Sequence, residues 1–336
     1  MDPDAIRAVK RVSHGSSDDP HILDFSANTN PLIPDGVTDV YMSALHDART
    51  YPPEPPTAYR AAAADFAGCE ADQVVPTPGG LAAIRLAIET TVQPSDSVLV
   101  PAPSFAEYTR EVRLQGADPV FVTHDAIPDT DPSEYALAIV CNPNNPTGEC
   151  YDAERLRSFA ASCREAGTPL LVDEAFLGFT DQPSLAGTPG VVVARSLTKL
   201  FGLPGLRAGF AVATGTLLDE LVAARRTWNV GRPALDVGTY CLEREEFVSE
   251  TRQRVAEERE RMRDTLSGHY EVHASDAPFL LLDVGGRNIA ALVEAVRERG
   301  IAIRDATTFR GLDSHIRVAV RLSKENDRLL EVLEDV

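Results

Sequence analysis

The sequence predicts an α/β protein: a large domain built on a mostly parallel sheet, then a smaller α+β domain. Three observations predict it. Short apolar runs alternate with helix-patterned segments from Ser97 to Ala194. Polar residues with chemical potential stand just after those runs, where open parallel sheets bind ligands: Asn145 after Val140, Asp173 after Val172, Ser196 and Lys199 after Val193. A charged segment, Phe247 to Leu266, then leads into a second strand-and-helix pattern. A chain of 336 residues buries roughly three quarters of its unfolded surface, enough for one large unit and one small one.

Taken in order, residues 1–35 are turn-rich and read as an arm or loop, linker or ligand-contacting. Tyr51-Pro52-Pro53-Glu54-Pro55-Pro56 interrupts regular structure, and Thr57 then starts a helix to Ala67, rich in the strong helix former alanine. Thr77-Pro78-Gly79-Gly80 is a tight turn opening a helix from Leu81 to Thr91. Backbone N–H groups at such a start are free to meet an anion, although most glycine pairs are plain turns. Next come a strand at Ser97–Val100, a helix at Phe105–Leu114 and strands at Pro119–Val122 and Ala136–Cys141. A helix at Ala153–Glu165 and strands at Leu170–Asp173 and Val191–Ala194 follow. These strands are near-continuous apolar runs, as expected where both sheet faces are covered. After the charged helix, the pattern predicts strand Phe279–Val284, helix Ile289–Arg299, strands Ile301–Arg304 and Ile316–Val320, and helix Lys324–Leu333. No internal repeat is visible.

Composition narrows the function. The formal charge is −19 and the sequence pI about 4.8, so the surface repels nucleic acid and anionic membranes. Acidity with almost no lysine suits a high-salt cytoplasm, where salt screens self-repulsion. No apolar run approaches the roughly 20 residues of a membrane span. The start, Met1-Asp2-Pro3-Asp4, lacks a basic, then apolar, secretory pattern; a cytoplasmic location is expected. Five cysteines without a Cys-x-x-Cys pair point to reduced thiols, and neither they nor the scattered histidines suggest a metal site.

Lys199 stands out, because only Lys10 and Lys324 accompany it in the whole chain. A lysine after a buried strand is either a snorkelling charge or a nucleophile able to form a Schiff base, which arginine cannot do. Ser196-x-x-Lys199 also matches the serine-nucleophile motif of penicillin-binding enzymes, but no Lys-Thr-Gly accompanies it.

Four features stand together: Asn142-Pro143-Asn144-Asn145-Pro146-Thr147-Gly148, Asp173-Glu174-Ala175-Phe176, Ser196-x-x-Lys199 and Arg207. Their order and spacing resemble the fold-type-I aminotransferase superfamily, which uses pyridoxal 5'-phosphate (PLP), over nearly the whole chain. The resemblance implies a seven-stranded, mostly parallel sheet. It implies an N-terminal arm, 1–35, contributing to the small domain and active site; a PLP-binding domain, 36–225; and a linker helix with the small domain, 226–336. It also implies roles. Lys199 holds the cofactor aldehyde, Asp173 faces the ring nitrogen, Asn145 faces the phenolic oxygen and Phe105 stacks on the ring. Gly80, Leu81, Ser196 and Arg207 hold the cofactor phosphate. Tyr51 reaches the phosphate of a neighbouring subunit, which implies a homodimer with shared sites. Arg317 binds the substrate carboxylate. Arg321, four residues along, shares its strand face, and two such arginines are either solvated edge residues or a clamp for two anionic groups.

Within the superfamily the chain looks like the branch of histidinol-phosphate aminotransferase and the threonine-phosphate decarboxylase of cobalamin biosynthesis. Ser13-His14-Gly15, Asp24-Phe25-Ser26-Ala27-Asn28-Thr29-Asn30-Pro31-Leu32, Phe105-Ala106-Glu107-Tyr108 and Gly311-Leu312-Asp313-Ser314 are more similar to the decarboxylase. So are Arg317-Val318-Ala319-Val320-Arg321 with Glu325-Asn326, and Phe176 where many aminotransferases carry tyrosine. That likeness implies a small phosphorylated amino-acid substrate, L-threonine O-3-phosphate, held by His14, Asn30, Asn145, Arg317 and Arg321. Two departures stand against it: Pro78-Gly79-Gly80-Leu81 lacks the polar side chains frequent at that turn, and His14 precedes Gly15-Ser16, not two glycines.

Overall fold

The computed structural model describes residues 1–12 and 15–336. Among them, strands β1 (Leu23–Asp24), β2 (Val74–Thr77), β3 (Ser97–Ala102), β4 (Asp118–Thr123), β5 (Leu137–Cys141), β6 (Leu170–Asp173), β7 (Val191–Ser196) and β8 (Gly209–Val212) precede the long helix Glu245–Leu266. Strands β9 (Glu271–Val272), β10 (Phe279–Asp283), β11 (Ile301–Ala302), β12 (Arg304–Asp305) and β13 (His315–Ala319) follow it. The seven-stranded sheet has the order β2-β8-β7-β6-β5-β3-β4. Neighbours from β7 to β4 pair in parallel, and only β8 runs antiparallel to the strands beside it.

Alternation along each strand explains why the predicted runs are apolar throughout. Leu99, Ala138, Val140, Leu170, Val172 and Val193 pack into one core, with Phe159 and Leu235 from the helices on that face. Val98, Val100, Ile139, Leu171, Val192 and Ala194 point the other way, against Ile84, Ile88 and Val112. A strand with both faces covered has no place for polar alternation. The carboxyl ends of β5, β6 and β7 open into a crevice.

β2 and β8 escape the sequence reading. β2 contains Pro76 and is an edge strand, the position where a residue lacking an N–H is tolerated. The predicted strand Ile301–Arg304 is two strands. β11 pairs in parallel with β1, and β12 pairs antiparallel with β13. The chain changes partners at buried Ile303.

The small sheet has the order β12-β13-β10-β9. The N-terminal segment joins it: Phe25 N–H donates to Ala302 O at 2.8 Å, and Ala319 N–H to Phe25 O at 2.9 Å. A few residues on, Asn30 N–H donates to Lys199 O at 2.9 Å. The long helix turns Val248, Thr251, Val255, Met262 and Leu266 inward, and its charged residues outward.

Candidate active site

A cavity of about 460 Å³ lies in the crevice, lined by residues that include Phe105, Asn145, Asp173, Phe176, Lys199 and Arg317. Residues scattered over more than two hundred positions of sequence meet there: Phe105, Asn145, Asp173, Phe176 and Lys199 follow or terminate strands of the large sheet, and Arg317 projects from the middle of β13.

Lys199 sits in the short helix Leu197–Leu200 directly after β7. Burial, then the charges of Arg317 and Arg207, lowers its amine to a pKa of about 8. A neutral, nucleophilic amine is therefore accessible near neutrality, which a solvated surface lysine does not offer. Asp173 ends β6 and is buried. Its carboxylate accepts from the Tyr108 hydroxyl at 2.6 Å and from Ala175 N–H at 3.0 Å. Burial pushes its pKa up; the Tyr108 and Ala175 bonds and the Lys199 charge pull the other way. Glu174 faces away, pairing with buried Arg195 at 2.9 Å and accepting from Leu185 N–H at 2.9 Å. The adjacent carboxylates thus divide between the cavity and the core.

The phosphate turn fits an anion. Gly79 has φ +93°, and Gly80 and Leu81 stand at the first helical positions, where N–H groups find no partner inside a helix. A Cβ on Gly79 would lie 2.6 Å from Arg207 Nη2, and one on Gly80 would lie 3.0 Å from Ser196 Cβ. The glycines therefore clear the space in which guanidinium, hydroxyl and amides converge. Arg207 also holds the turn, with Nη2 3.5 Å from Pro78 O. Thr198 Oγ1 is buried beside Ser196 without a partner among the described residues. A dianionic phosphate supplies what this cradle lacks. With the amine of Lys199 and the carboxylate of Asp173 in one cavity, the donor set fits PLP.

Asn145 and Arg317 meet directly: Arg317 Nη1 donates to Asn145 Oδ1 at 2.5 Å, and Nη2 to Ser26 O at 3.1 Å. Arg317 lies over Phe279 and Phe309, with burial and then Arg304 opposing its charge. An incoming anion relieves that cost.

Two expected substrate residues lie elsewhere. Arg321 does not share the cavity face, because β13 ends at Ala319 and strand alternation ends with it. Its guanidinium makes two 3.1 Å bonds to Glu325 and donates to Asp24 O at 3.2 Å. Asn30 is a strut under the lysine: its amide donates to Leu200 O at 2.8 Å and accepts from Arg254 at 2.7 Å. His14 lies outside the described residues. Tyr51 is 75% exposed, away from the cavity, and stacks on Trp228 with ring centroids 4.3 Å apart.

The cavity wall includes two residues the sequence reading missed, Asn28 and Arg304. Asn28 is buried, with Oδ1 unpartnered among the described residues. It shares a motif with Asn30, and the motif does not say which asparagine turns inward. Arg304 donates to Thr308 Oγ1 at 2.9 Å. Its only sequence signal was a charge at the end of an apolar run. Tyr108 stands behind Asp173, and nothing in Phe105-Ala106-Glu107-Tyr108 marks it as a contact of that carboxylate.

The family description "Aminotransferase class I and II" matches residues 20–333. Histidinol-phosphate aminotransferase 2 of Archaeoglobus fulgidus is 29% identical, over 95% of this chain and 94% of that protein. A Caldanaerobacter subterraneus protein provisionally named a threonine-phosphate decarboxylase is 30% identical, over 91% and 88%. The crystal structure of L-threonine-O-3-phosphate decarboxylase from Porphyromonas gingivalis superposes with a TM-score of 0.84 at 25% identity, covering 94% of this chain and 98% of that one. Further similar relatives, including one from Halobacterium salinarum, bear the histidinol-phosphate aminotransferase name.

Proposed function

The chain belongs to the aminotransferase class I and II family and has pyridoxal 5'-phosphate as its cofactor, and from that premise we propose that it decarboxylates L-threonine O-3-phosphate. The product is (R)-1-amino-2-propanol O-2-phosphate, a building block of cobalamin. One observation carries the reading: Arg304 and Arg317 both line the cavity that holds Lys199. Two guanidinium groups beside one amine suit a small amino acid bearing two anionic groups, a carboxylate and a phosphate. The volume agrees. About 460 Å³ is near the lower end for small-molecule sites, and here it serves cofactor and substrate together.

Gly80, Leu81, Ser196 and Arg207 would hold the cofactor phosphate, Asp173 the ring nitrogen, Asn145 the phenolic oxygen and Phe105 the ring face. When bound, the cofactor supplies an electron sink for the pair released at the substrate Cα. The chain's own residues decide which bond gives up that pair. Arg304 and Arg317 fix the carboxylate and phosphate, and so fix the rotation about Cα; an error of about an ångström changes the outcome. The Cα–carboxylate bond breaks and CO2 leaves. Lys199 Nζ then delivers one proton to Cα and regains it from solvent. Asn28 offers a polar contact to the substrate from the opposite segment. Phe176 and Phe105 exclude water from the reacting centre.

The reading includes a second copy of the chain. Exposed Tyr51 and Trp228 stack outside their own cavity, and Tyr41, Met42 and Leu45 are exposed together on the helix Val37–Asp47. Such a patch suits self-association, with Tyr51 reaching the partner's site.

Histidinol-phosphate aminotransferase is the second reading, favoured by the names of most similar relatives. One assay decides: purified protein with PLP receives threonine phosphate, or histidinol phosphate with 2-oxoglutarate. Stoichiometric CO2 from the first supports the proposal. Amino transfer to 2-oxoglutarate without CO2 rejects it.

A further inference from the structure

We infer that Tyr108 is a positioning residue for two cofactor-facing groups at once, holding the Asp173 carboxylate by its hydroxyl and the Phe105 ring by its own ring. The inference rests on PLP lying between Asp173 and Phe105, and it adds a residue that does not itself line the cavity.

The geometry is specific. Phe105 caps the helix Ala106–Leu114, and Tyr108 stands one turn on, its N–H donating to Phe105 O at 3.1 Å. Their rings meet edge to face, centroids 5.6 Å apart at 85°. Tyr108 is fully buried and reaches Asp173 Oδ2 from behind at 2.6 Å. Among the described residues it is the only side chain hydrogen-bonded to that carboxylate, the other donor being Ala175 N–H. One buried side chain therefore connects the strand-end acid to the aromatic wall.

The hydroxyl has a chemical task as well. Burial, then the Asp173 charge, pushes the Tyr108 phenol well above its ordinary pKa. The proton stays on Tyr108, the bond runs in one direction, and Asp173 is held as the acceptor. Around the carboxylate stand Lys199 from the short helix, Glu174 directly after β6 and Cys141 at its register position on β5. Lys199 favours ionised Asp173 and Glu174 opposes it, while burial opposes it most. A phenylalanine at position 108 would preserve the packing on Phe105 and remove a donor that keeps Asp173 charged. A protonated Asp173 cannot stabilise positive charge on a ring nitrogen.

The test is PLP binding by the apoprotein, followed by absorbance across a pH series for wild type, Y108F, Y108H, D173N and Y108F/D173N. For Y108F the Kd rises roughly tenfold, the loss of one hydrogen bond to a charged group. The acid limb of its binding curve also moves to higher pH, because Asp173 protonates sooner. Y108H, which keeps a ring donor, recovers part of both changes. In the D173N background, Y108F changes Kd far less. Wild-type Kd in Y108F overturns the inference. A weaker Kd with an unmoved acid limb also overturns it, since packing alone would do that. Wild type that takes up no PLP overturns this inference and the cofactor reading together, whereas PLP-binding wild type with an unaffected Y108F overturns this inference alone.

Discussion

Lys199 shows what a single residue discloses and conceals. Its place in the candidate site was legible because Schiff-base chemistry admits one residue type, and only three lysines occur in the chain. Asp173 and Asn145, expected in the cavity from the resemblance, also line it. Substrate residues obey no such restriction. Any arginine can meet an anion, so the sequence does not distinguish Arg304, which lines the cavity, from Arg321, which is occupied by Glu325. Asn28 and Asn30 differ by one alternation of an irregular segment, which periodicity does not resolve. The lowered pKa of Lys199 gives a direct prediction. In the apoprotein, acylation of Lys199 by a small amine reagent rises with pH through a midpoint of about 8, since only the neutral amine reacts. Peptide mass spectrometry separates it from exposed Lys10 and Lys324. A Lys199 midpoint at the ordinary lysine value of 10.5 would contradict the desolvated site.

At the scale of elements, helix starts and strand ends place the chemistry. The phosphate turn depends on Gly79, whose φ of +93° suits glycine and whose missing side chain admits Arg207. Gly79→Ala combines backbone strain with a displaced guanidinium. Its expected cost is about 1–3 kcal/mol of stability, with PLP affinity falling at least tenfold. Thermal unfolding measures the first and PLP titration the second; unchanged affinity would show that Arg207 does not depend on this space. The parallel strands were easy to read because burial on both faces leaves long apolar runs. β2 was hidden by Pro76, and β11 with β12 by a change of partner at Ile303, which leaves no mark in an apolar run. Pairing between distant segments is settled by the whole fold.

For the whole molecule, charge and the exposed apolar patch act against each other. A chain with net charge −19 repels its own copies over about 10 Å at 0.1 M salt and over about 3 Å at 1 M. The proposed self-association through Tyr41, Met42, Leu45 and Tyr51 should therefore tighten as potassium chloride rises. Light scattering on eluting protein should show the dimer gain population with salt, while Met42→Asp stays monomeric throughout. A wild-type monomer at every salt concentration refutes the shared-site arrangement. Among the described residues no helix is long and apolar enough to cross a membrane. The arm has a mechanical consequence. It is fastened to β11 and β13 at Phe25 and to the lysine-bearing turn at Asn30. The residues between span at most roughly 18 Å when taut, and Ser26, Ala27 and Asn28 among them line the cavity. The tether is short, so it limits any displacement of the small sheet from the large one. Any such movement would shift Asn28 at the cavity wall, which would make the arm a gauge of the distance between the two sheets.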